Sequence, residues 1–531
     1  MFVRNLHIVK SLLTVVLAVP LLVSCYNYDV EEVEIIENEG TTERYINLTI
    51  AVSADTQTLT RGPLGGENGD GREAGFQREN EVNGVTLILY DDVAGINTTA
   101  NPALAFVKYY PTKLVSRDAA GSPETGTHIS NDDKSDLDEA IYTTGDQRVS
   151  LTDLTFGKSY HAIVVANKDL TSVLNTTNKL NDVKALVYGA DDLYDGVYGR
   201  AAYDCSKFLM SSEFDFTFDL TSPTAVVTGQ STQQLYYRPT ETTPIRIERL
   251  AARIDFWAAG ATYQETGIYD GRSGYVYNVE GTSDKFIIFS ITPFNLYSKG
   301  TVYGGEKLLK QLNIGYLLDE TAAAYVLDPS TTAKTSANVA AFGTDGTYLN
   351  PLSQIIDNLN ASIPMSGAGN PIYYQTVKAM HDKIGLQGGF GETFDDNLGG
   401  TLKGENIIVA YPMENTLPAE TTPSTPLYTY ATGVAIEGGY FKGGDLTIAP
   451  INRIYIGYIM HQSSATTYTP FRSDDASVKT AIPSATPMNF GVVRNNIYRI
   501  SIDKINPDGA KISLKIEEEK WRHVDNPTIY I

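Results

Sequence analysis

The chain has 531 residues, 63 of them acidic against 41 basic, for a formal net charge of −22. That balance argues against nucleic-acid binding, which needs a basic footprint, and suits a soluble protein at a crowded surface, where charge of one sign limits non-specific sticking. With 42% apolar and 10% aromatic residues there is material for two or three domains with cores, and the 34 tyrosines and recurrent Thr, Val and Ile point to a mainly β fold.

Met1 to Ser24 has the form of a secretory signal. Arg4 and Lys10 supply positive charge, and Leu12 to Val23 is an almost unbroken apolar run. The run is short of the about 20 residues a membrane span needs. It ends Leu22-Val23-Ser24-Cys25. This is similar to the lipobox of bacterial lipoproteins, in which the cysteine is acylated and becomes the new N-terminus. A plain signal peptide with a chance cysteine is the alternative. An acylated Cys25 would hold the precursor to a membrane through its lipid chains. The acidic stretch Tyr26 to Glu39 is expected to be a disordered tether. Cys205 is the one other cysteine, so no intrachain disulfide framework is expected.

Tyr45 to Ser53 is a strong strand candidate: Ile46, Leu48, Ile50 and Val52 alternate with smaller or polar residues and share one face. A polar spacer follows, then Thr60-Arg61-Gly62 and a stretch from Gly62 to Gly75 with six glycines and no plausible core. A core strand is thus tied to the body by an exposed tether that contains an arginine. A trypsin-like cut after Arg61 would remove that strand and leave a groove. At about 1.5–3 kcal/mol for each of four apolar side chains, roughly 6–12 kcal/mol of burial goes with it, comparable to the stability of a whole domain, about 5–15 kcal/mol. A donated strand with alternating apolar residues would restore both the burial and the ladder.

Further strands are expected at Val85 to Tyr90, Phe106 to Tyr110 and Phe214 to Leu220, and Val149 to Leu151, a turn at Gly157 and Tyr160 to Asn167 are expected to form a hairpin ending in the sheet centre. Ser116 to Gly145 is polar and acidic and is expected to be a long surface loop. Ile245 to Phe256 has the form of one long strand crossing a domain boundary near 240, and Lys285 to Pro293 and Tyr455 to Met460 are apolar enough for interior strands. Pro351 to Ile363 and Tyr373 to Ile384 carry weak helical patterns, and Pro412 to Pro426 has loop composition. The end of the chain is strongly patterned. Tyr498, Ile500 and Ile502 alternate, Asn506-Pro507-Asp508-Gly509 is a turn, and Ile512, Leu514 and Ile516 alternate again, which predicts a β-hairpin. Trp521 follows, and then Val524 to Ile531, with Ile529 and Ile531 on one face.

Catalytic and metal-binding patterns are missing from the sequence. The six histidines (His7, His128, His161, His381, His461, His523) show no metal-ligand spacing, and there is no Gly-x-Ser-x-Gly elbow or phosphate-cradling glycine loop. His161 lies in an apolar strand, where a structural role is expected. Asp132, Lys134, Asp136 and Asp138 faintly resemble a calcium loop but lack its glycine and terminal glutamate. Carboxylate pairs are too common in so acidic a chain to single out a hydrolytic dyad. The chain is therefore expected not to be an enzyme and to need no cofactor.

Five stretches together resemble the Bacteroidales fimbrillin family, the structural subunits of type V pili. They are the lipobox at Cys25; the leading strand with Leu59-Thr60-Arg61-Gly62 and then Val85 to Tyr90; Gly157 with Tyr160 to Asn167; Ile247-Glu248-Arg249-Leu250-Ala251-Ala252-Arg253-Ile254; and Asn495-Asn496-Ile497-Tyr498-Arg499-Ile500 with a closing Trp521. Residues from about 300 to 450 carry nothing specific to the family. The resemblance implies two β-sandwich domains of transthyretin-like topology with a few surface helices: a signal at 1–24, an acidic tether and removable strand at 25–61, and domains at 62–240 and 241–531. It implies export through the periplasm as a lipoprotein of the outer membrane, cleavage by an arginine-specific protease, and assembly into a cell-surface fimbria by strand exchange with other subunits, serving adhesion. Carried onto this chain, the cut falls between Arg61 and Gly62, the removed strand holds Ile46, Leu48, Ile50 and Val52, and the donor lies within Trp521 to Ile531, with Val524, Ile529 and Ile531. Pro63 follows the cut, so Arg72 and Arg78 stand as other sites on the same tether. Two alternatives remain open. Val524 to Ile531 is also compatible with a strand folded back on its own domain, since Pro527 interrupts a ladder. The lipobox and abundant tyrosine also fit a surface glycan-binding lipoprotein.

Overall fold

The computed structural model describes residues 45–46, 49–52, 72–73, 79, 82–93, 100–111, 113–117, 123–124, 140–143, 149–150, 154–155, 158–189, 207–212, 216–219, 246–303, 348–352, 355, 376–382, 391–395, 403–415, 431–460, 466–468, 470–472, 491–507, 512–521 and 524–525. The chain divides into two compact units. One, Met1–Glu43 with Val226–Gln233, lies outside the described residues; the other, Arg44–Ala225 with Gln234–Ile531, holds everything below. The fold is mainly β, built of open sheets with short helices at Leu180–Lys184 and Val377–His381. Among the described residues no helix is long and apolar enough to cross a membrane.

The first seven-stranded sheet runs Val524–Asp525, Arg246–Arg249, Met210–Ser212, Ser159–Ala166, Gly84–Asp91, Leu104–Pro111, with Phe216–Asp219 also paired to Ser159–Ala166. Its centre is the run read from sequence as a continuous apolar strand. Ile163 opposes Ile88 and Val164 opposes Leu87, and all four are buried, as expected where both sheet faces are covered. Asn167 ends the strand in the left-handed region (φ 65°), which asparagine tolerates. Its side chain accepts from the Asn83 amide at 2.8 Å and donates to the Phe208 carbonyl at 2.7 Å. Leu104–Pro111 gives way after one residue to Lys113–Arg117, which belongs to a four-stranded sheet ordered Thr49–Val52, Ala140–Thr143, Lys113–Arg117, Pro123–Glu124. The chain thus passes from one sheet to the other at this corner.

The second seven-stranded sheet runs Gly391–Asp395, Lys403–Ala410, Arg253–Trp257, Asn496–Ile505, Ile512–Trp521, Thr466–Tyr468, and Arg72–Glu73 also pairs with Ile512–Trp521. It is mixed: Arg253–Trp257 is antiparallel to Lys403–Ala410 and parallel to Asn496–Ile505. A six-stranded sheet faces it, ordered Thr262–Gln264, Gly274–Asn278, Lys285–Phe294, Gly433–Phe441, Ile451–Tyr458, Phe471–Arg472. Phe256 of one sheet meets Tyr275 of the other with ring centroids 6.5 Å apart, and the Tyr275 hydroxyl donates to Glu405 across the same gap at 2.7 Å. This is a β-sandwich. Lys285–Phe294 alternates within it: Phe286, Ile288 and Ile291 enter the main core, while Ile287 and Phe289 join Ile268 and Phe441 in a smaller cluster on the opposite face.

The structure departs from the sequence reading in four places. Ile245 to Phe256 is two strands, Arg246–Arg249 and Arg253–Trp257, in different sheets. Between them the Leu250 amide donates to the Leu209 carbonyl and the Ala252 amide to the Pro412 carbonyl, so the chain changes ladder partners within three residues. Ser116 to Gly145 is not loop throughout: Ala140-Ile141-Tyr142-Thr143 is a strand, its β-branched and aromatic residues outweighing the acidic run before it. Val149–Ser150 forms no hairpin with Ser159–Ala166 among the described residues and pairs instead with Tyr45–Ile46. Tyr373 to Ile384 does hold a helix, as its pattern suggests: Val377–His381, begun by the Thr376 hydroxyl accepting from the Ala379 amide at 3.1 Å. Within the glycine-rich tether, Arg72–Glu73 pairs in parallel with Lys520–Trp521.

One turn offers a pH test. Asp284 accepts from the Tyr440 hydroxyl and from the Gly443 amide (2.7 Å), pinning the Lys442–Gly444 turn, and these bonds hold its carboxyl below the ordinary value of 3.8. A depressed folded value stabilises above the unfolded pKa and is lost as pH falls through the folded one. Asp284→Asn is therefore expected to lower the melting temperature slightly at neutral pH. The gap from the parent should close on acidification below about pH 4, checked by thermal melts across a pH series.

Candidate functional site

The features that bear on assembly gather where the leading and terminal segments meet the sheets. The terminal hairpin is well anchored: Ile512, Leu514 and Ile516 are buried, with Ile516 opposite Ile500 and Leu514 opposite Ile502. Its second strand runs to Trp521 in the second seven-stranded sheet. Three residues later the chain is in the first seven-stranded sheet, where Val524–Asp525 lies antiparallel to Arg246–Ile247 and forms that sheet's edge. Ile247, opposite Val524, is fully buried. Thr49–Val52 is the edge of the four-stranded sheet, antiparallel to Ala140–Thr143 over four positions. Tyr45–Ile46 pairs separately with Val149–Ser150. Thr49–Val52 comes within 8 Å (Cα–Cα) of Val524–Asp525.

Of the residues singled out from sequence, Ile46, Ile50, Val52 and Val524 therefore lie in paired strands. Cys25, Leu48, Arg61, Gly62, Arg78, Ile529 and Ile531 lie outside the described residues, as do Cys205, Asp132, Asp136 and Asp138.

A buried ionic cluster sits beside this region and was not anticipated. Glu79, Arg249, Arg253 and Asp255 are fully buried. Arg253 donates to Asp255 through Nε (2.9 Å) and Nη2 (2.8 Å), and to Glu79 through Nη1 (3.1 Å). The Tyr411 hydroxyl donates to Glu79, and Arg249 Nε donates to the Glu79 carbonyl at 2.9 Å. Asn406 Nδ2 donates to Asp255 at 2.9 Å, and Arg249 Nη1 to Asn495 Oδ1 at 3.0 Å. Both carboxylates are thus saturated by protein donors. The cluster braces the segment after the tether against the two strands that connect the seven-stranded sheets. A second pair, Arg494 with Glu414 at 2.8 Å, is also nearly buried, and Arg494 reaches the Thr301 carbonyl at 2.9 Å.

The group closest in form to a catalytic constellation lies elsewhere. His381 Nδ1 is 2.8 Å from Glu405 Oε2, which also accepts from the Tyr275 hydroxyl, and the Tyr263 ring stacks on His381 at 3.4 Å between centroids. Burial first, and the Glu405 bond second, push the Tyr275 phenol far above its ordinary value, so it remains a proton donor at neutral pH. Lys378, bonded to Glu265 (2.9 Å) and Asp382 (3.0 Å), is held further into its charged form. His161 pairs with Asp92 at 3.0 Å and stacks on Tyr90. Among the described residues no group of three or more His, Cys, Asp or Glu is placed to hold a metal ion. Tyr269 is the one aromatic among the exposed large apolar side chains of the described residues.

No protein-family model matches the chain, and no curated protein matches it either. Solved structures do. A protein from Parabacteroides distasonis, provisionally described as a cell adhesion protein, aligns over 92% of this chain and 99% of its own at 11% identity and a TM-score of 0.38. The tip fimbrial protein Mfa3 from Porphyromonas gingivalis, with C-terminal truncation, aligns over 90% of this chain and 100% of its own at 13% identity and a TM-score of 0.36. A fimbrial assembly protein from Parabacteroides distasonis aligns over 92% and 99% at 11% identity and a TM-score of 0.32. These structural neighbours are described as fimbrial proteins or, provisionally, as a cell adhesion protein.

Proposed function

We propose that this protein is a non-enzymatic structural subunit of a cell-surface fimbria. It is exported as a lipoprotein acylated at Cys25, matured by cleavage after Arg61, and assembled head to tail by strand donation, in the service of adhesion. What supports this reading above all is that Thr49–Val52 and Val524–Asp525 are both edge strands and lie beside each other. An edge strand held through one ladder leaves its partner strand ready to accept another chain when it departs. Donor and acceptor are different surfaces of one molecule, so repetition gives an open filament rather than a closed ring.

The structure also bears on which arginine is cut. A protease must draw the residues around the scissile bond into its own cleft in extended form. Arg72–Glu73 is already laddered to Lys520–Trp521, and Glu79, which follows Arg78, is fully buried with its carboxylate on Arg253. Cutting at either place requires breaking those contacts first. Limited digestion of the full chain carrying Cys25→Ala with an arginine-specific protease is expected to give Gly62 as the new N-terminus, read by terminal sequencing. The trimmed protein is then expected to form filaments, seen by light scattering and electron microscopy, and truncation after Trp521 should abolish them. Trimmed full-length protein that stays monomeric at high concentration would overturn the proposal.

A further inference from the structure

We propose that the leading segment also restrains the chain's own terminal segment, so that one cleavage releases the donor as well as emptying the acceptor. This inference rests on the fimbrial reading for its biological use, though not for its physical test. The terminal strand has two differently secured parts. Its root, Lys520–Trp521, is flanked on both sides: Lys520 opposes Asn496 in the hairpin, and Arg72–Glu73 pairs along the other edge. Its outer part, Val524–Asp525, is laddered among the described residues through two positions, to Arg246–Ile247. Thr49–Val52 also comes within 8 Å of it and is itself fixed by four positions of antiparallel ladder to Ala140–Thr143. A two-position ladder at a sheet edge has little cooperativity of its own, and such elements open at the low end of the local-stability range. The leading segment flanks it and limits that opening.

Arg61 divides these two supports. The strand Thr49–Val52 precedes it and leaves with the propeptide, while Arg72–Glu73 follows it and stays. A cut there removes the clasp on Val524–Asp525 but keeps the grip on its root. The freed segment is then tethered at Trp521 with its direction set, ready for the edge of Ala140–Thr143 on a second copy of this chain. Before the cut, that copy's own Thr49–Val52 occupies the edge. The uncut subunit is therefore self-capped at both ends.

Hydrogen–deuterium exchange on the full chain carrying Cys25→Ala tests this, at a dilution where only monomer is present. After the cut at Arg61, amides of Val524–Asp525 and Arg246–Ile247 are expected to exchange about tenfold faster or more, with Lys520–Trp521 and the central strand Ser159–Ala166 unchanged. Adding back a peptide of residues 44–54 is expected to restore the slow exchange, and Arg61→Ala treated with the same protease should show no change. Equal protection of Val524–Asp525 before and after the cut overturns the proposal. So does a uniform loss of protection that includes Ser159–Ala166, because the leading segment would then be part of the fold and not a clasp. Filament formation read in parallel separates the two ideas. Loosened ends without filaments would reject the fimbrial reading alone, and filaments with unchanged protection would reject the clasp alone.

Discussion

Glu79→Ala is expected to destabilise the protein by about 3–5 kcal/mol, the usual cost of removing one partner from a buried ion pair. The carboxylate is fully buried and accepts from Arg253 Nη1 and from the Tyr411 hydroxyl. Its removal takes one carboxylate from the Arg253 guanidinium, also fully buried, and leaves a void beside Tyr411. Glu79→Gln keeps the volume and one acceptor oxygen, so it should cost less. Replacing Glu79 and Arg253 together by Leu and Met should cost less than the sum of the single changes, since the attraction between the two is lost once and not twice, although Asp255 then loses its Arg253 donors. Urea unfolding of the parent, these three variants and the single changes Glu79→Leu and Arg253→Met gives the comparison. Equal stability of Glu79→Ala and parent would mean that the segment after the tether is not braced here.

Gly433→Ala should be nearly as damaging although it adds one carbon. A Cβ at Gly433 would lie 2.2 Å from the Gly457 carbonyl oxygen and 2.4 Å from Cζ of Phe294. Gly433 opposes Phe294 on one neighbouring strand and Tyr458 on the other, so neither side of the ladder has room to withdraw. Overpacking of this kind costs about 1–3 kcal/mol, and more where backbone must shift. Gly189→Ala is the control: nothing lies within 4 Å of the added carbon, and the change should be neutral or stabilise by roughly 0.4–1 kcal/mol through the unfolded chain. A thermal melt that ranks the two variants the other way would show that the six-stranded sheet yields at this point.

The terminal hairpin was legible in the sequence because its two-residue period is clean: Tyr498, Ile500, Ile502, Ile512, Leu514 and Ile516 are all buried. The central strand Ser159–Ala166 was legible for a different reason, an apolar run too short for a helix. Gly433–Phe441 was not, since Gly438 and Gly439 interrupt the pattern as a loop would. In the fold their missing side chains make space for the rings of Phe286 and Phe289, which a Cβ would meet at 2.4 and 2.8 Å. Lys403–Ala410 carried a usable signal, Ile407-Ile408-Val409-Ala410, that went unread in a region with no family-like motif. The ionic cluster could not be found by spacing. Arg249 and Arg253 both lie in a strand-like run, but Glu79, whose backbone carbonyl takes the first and whose carboxylate takes the second, is more than 160 residues away, and nothing local marks it for burial. The same holds for His381 and Glu405, 24 residues apart and on different elements.

The short passage Leu250–Ala252 has a mechanical consequence. In a fibre of the proposed kind, a load that reaches Arg246–Arg249 continues within three residues into Arg253–Trp257. That strand lies between Lys403–Ala410 and, in parallel register, Ile497–Ser501. A load applied along its axis draws on all of these hydrogen bonds at once and does not peel them one by one. The join between the two sheets is therefore built to resist stretching.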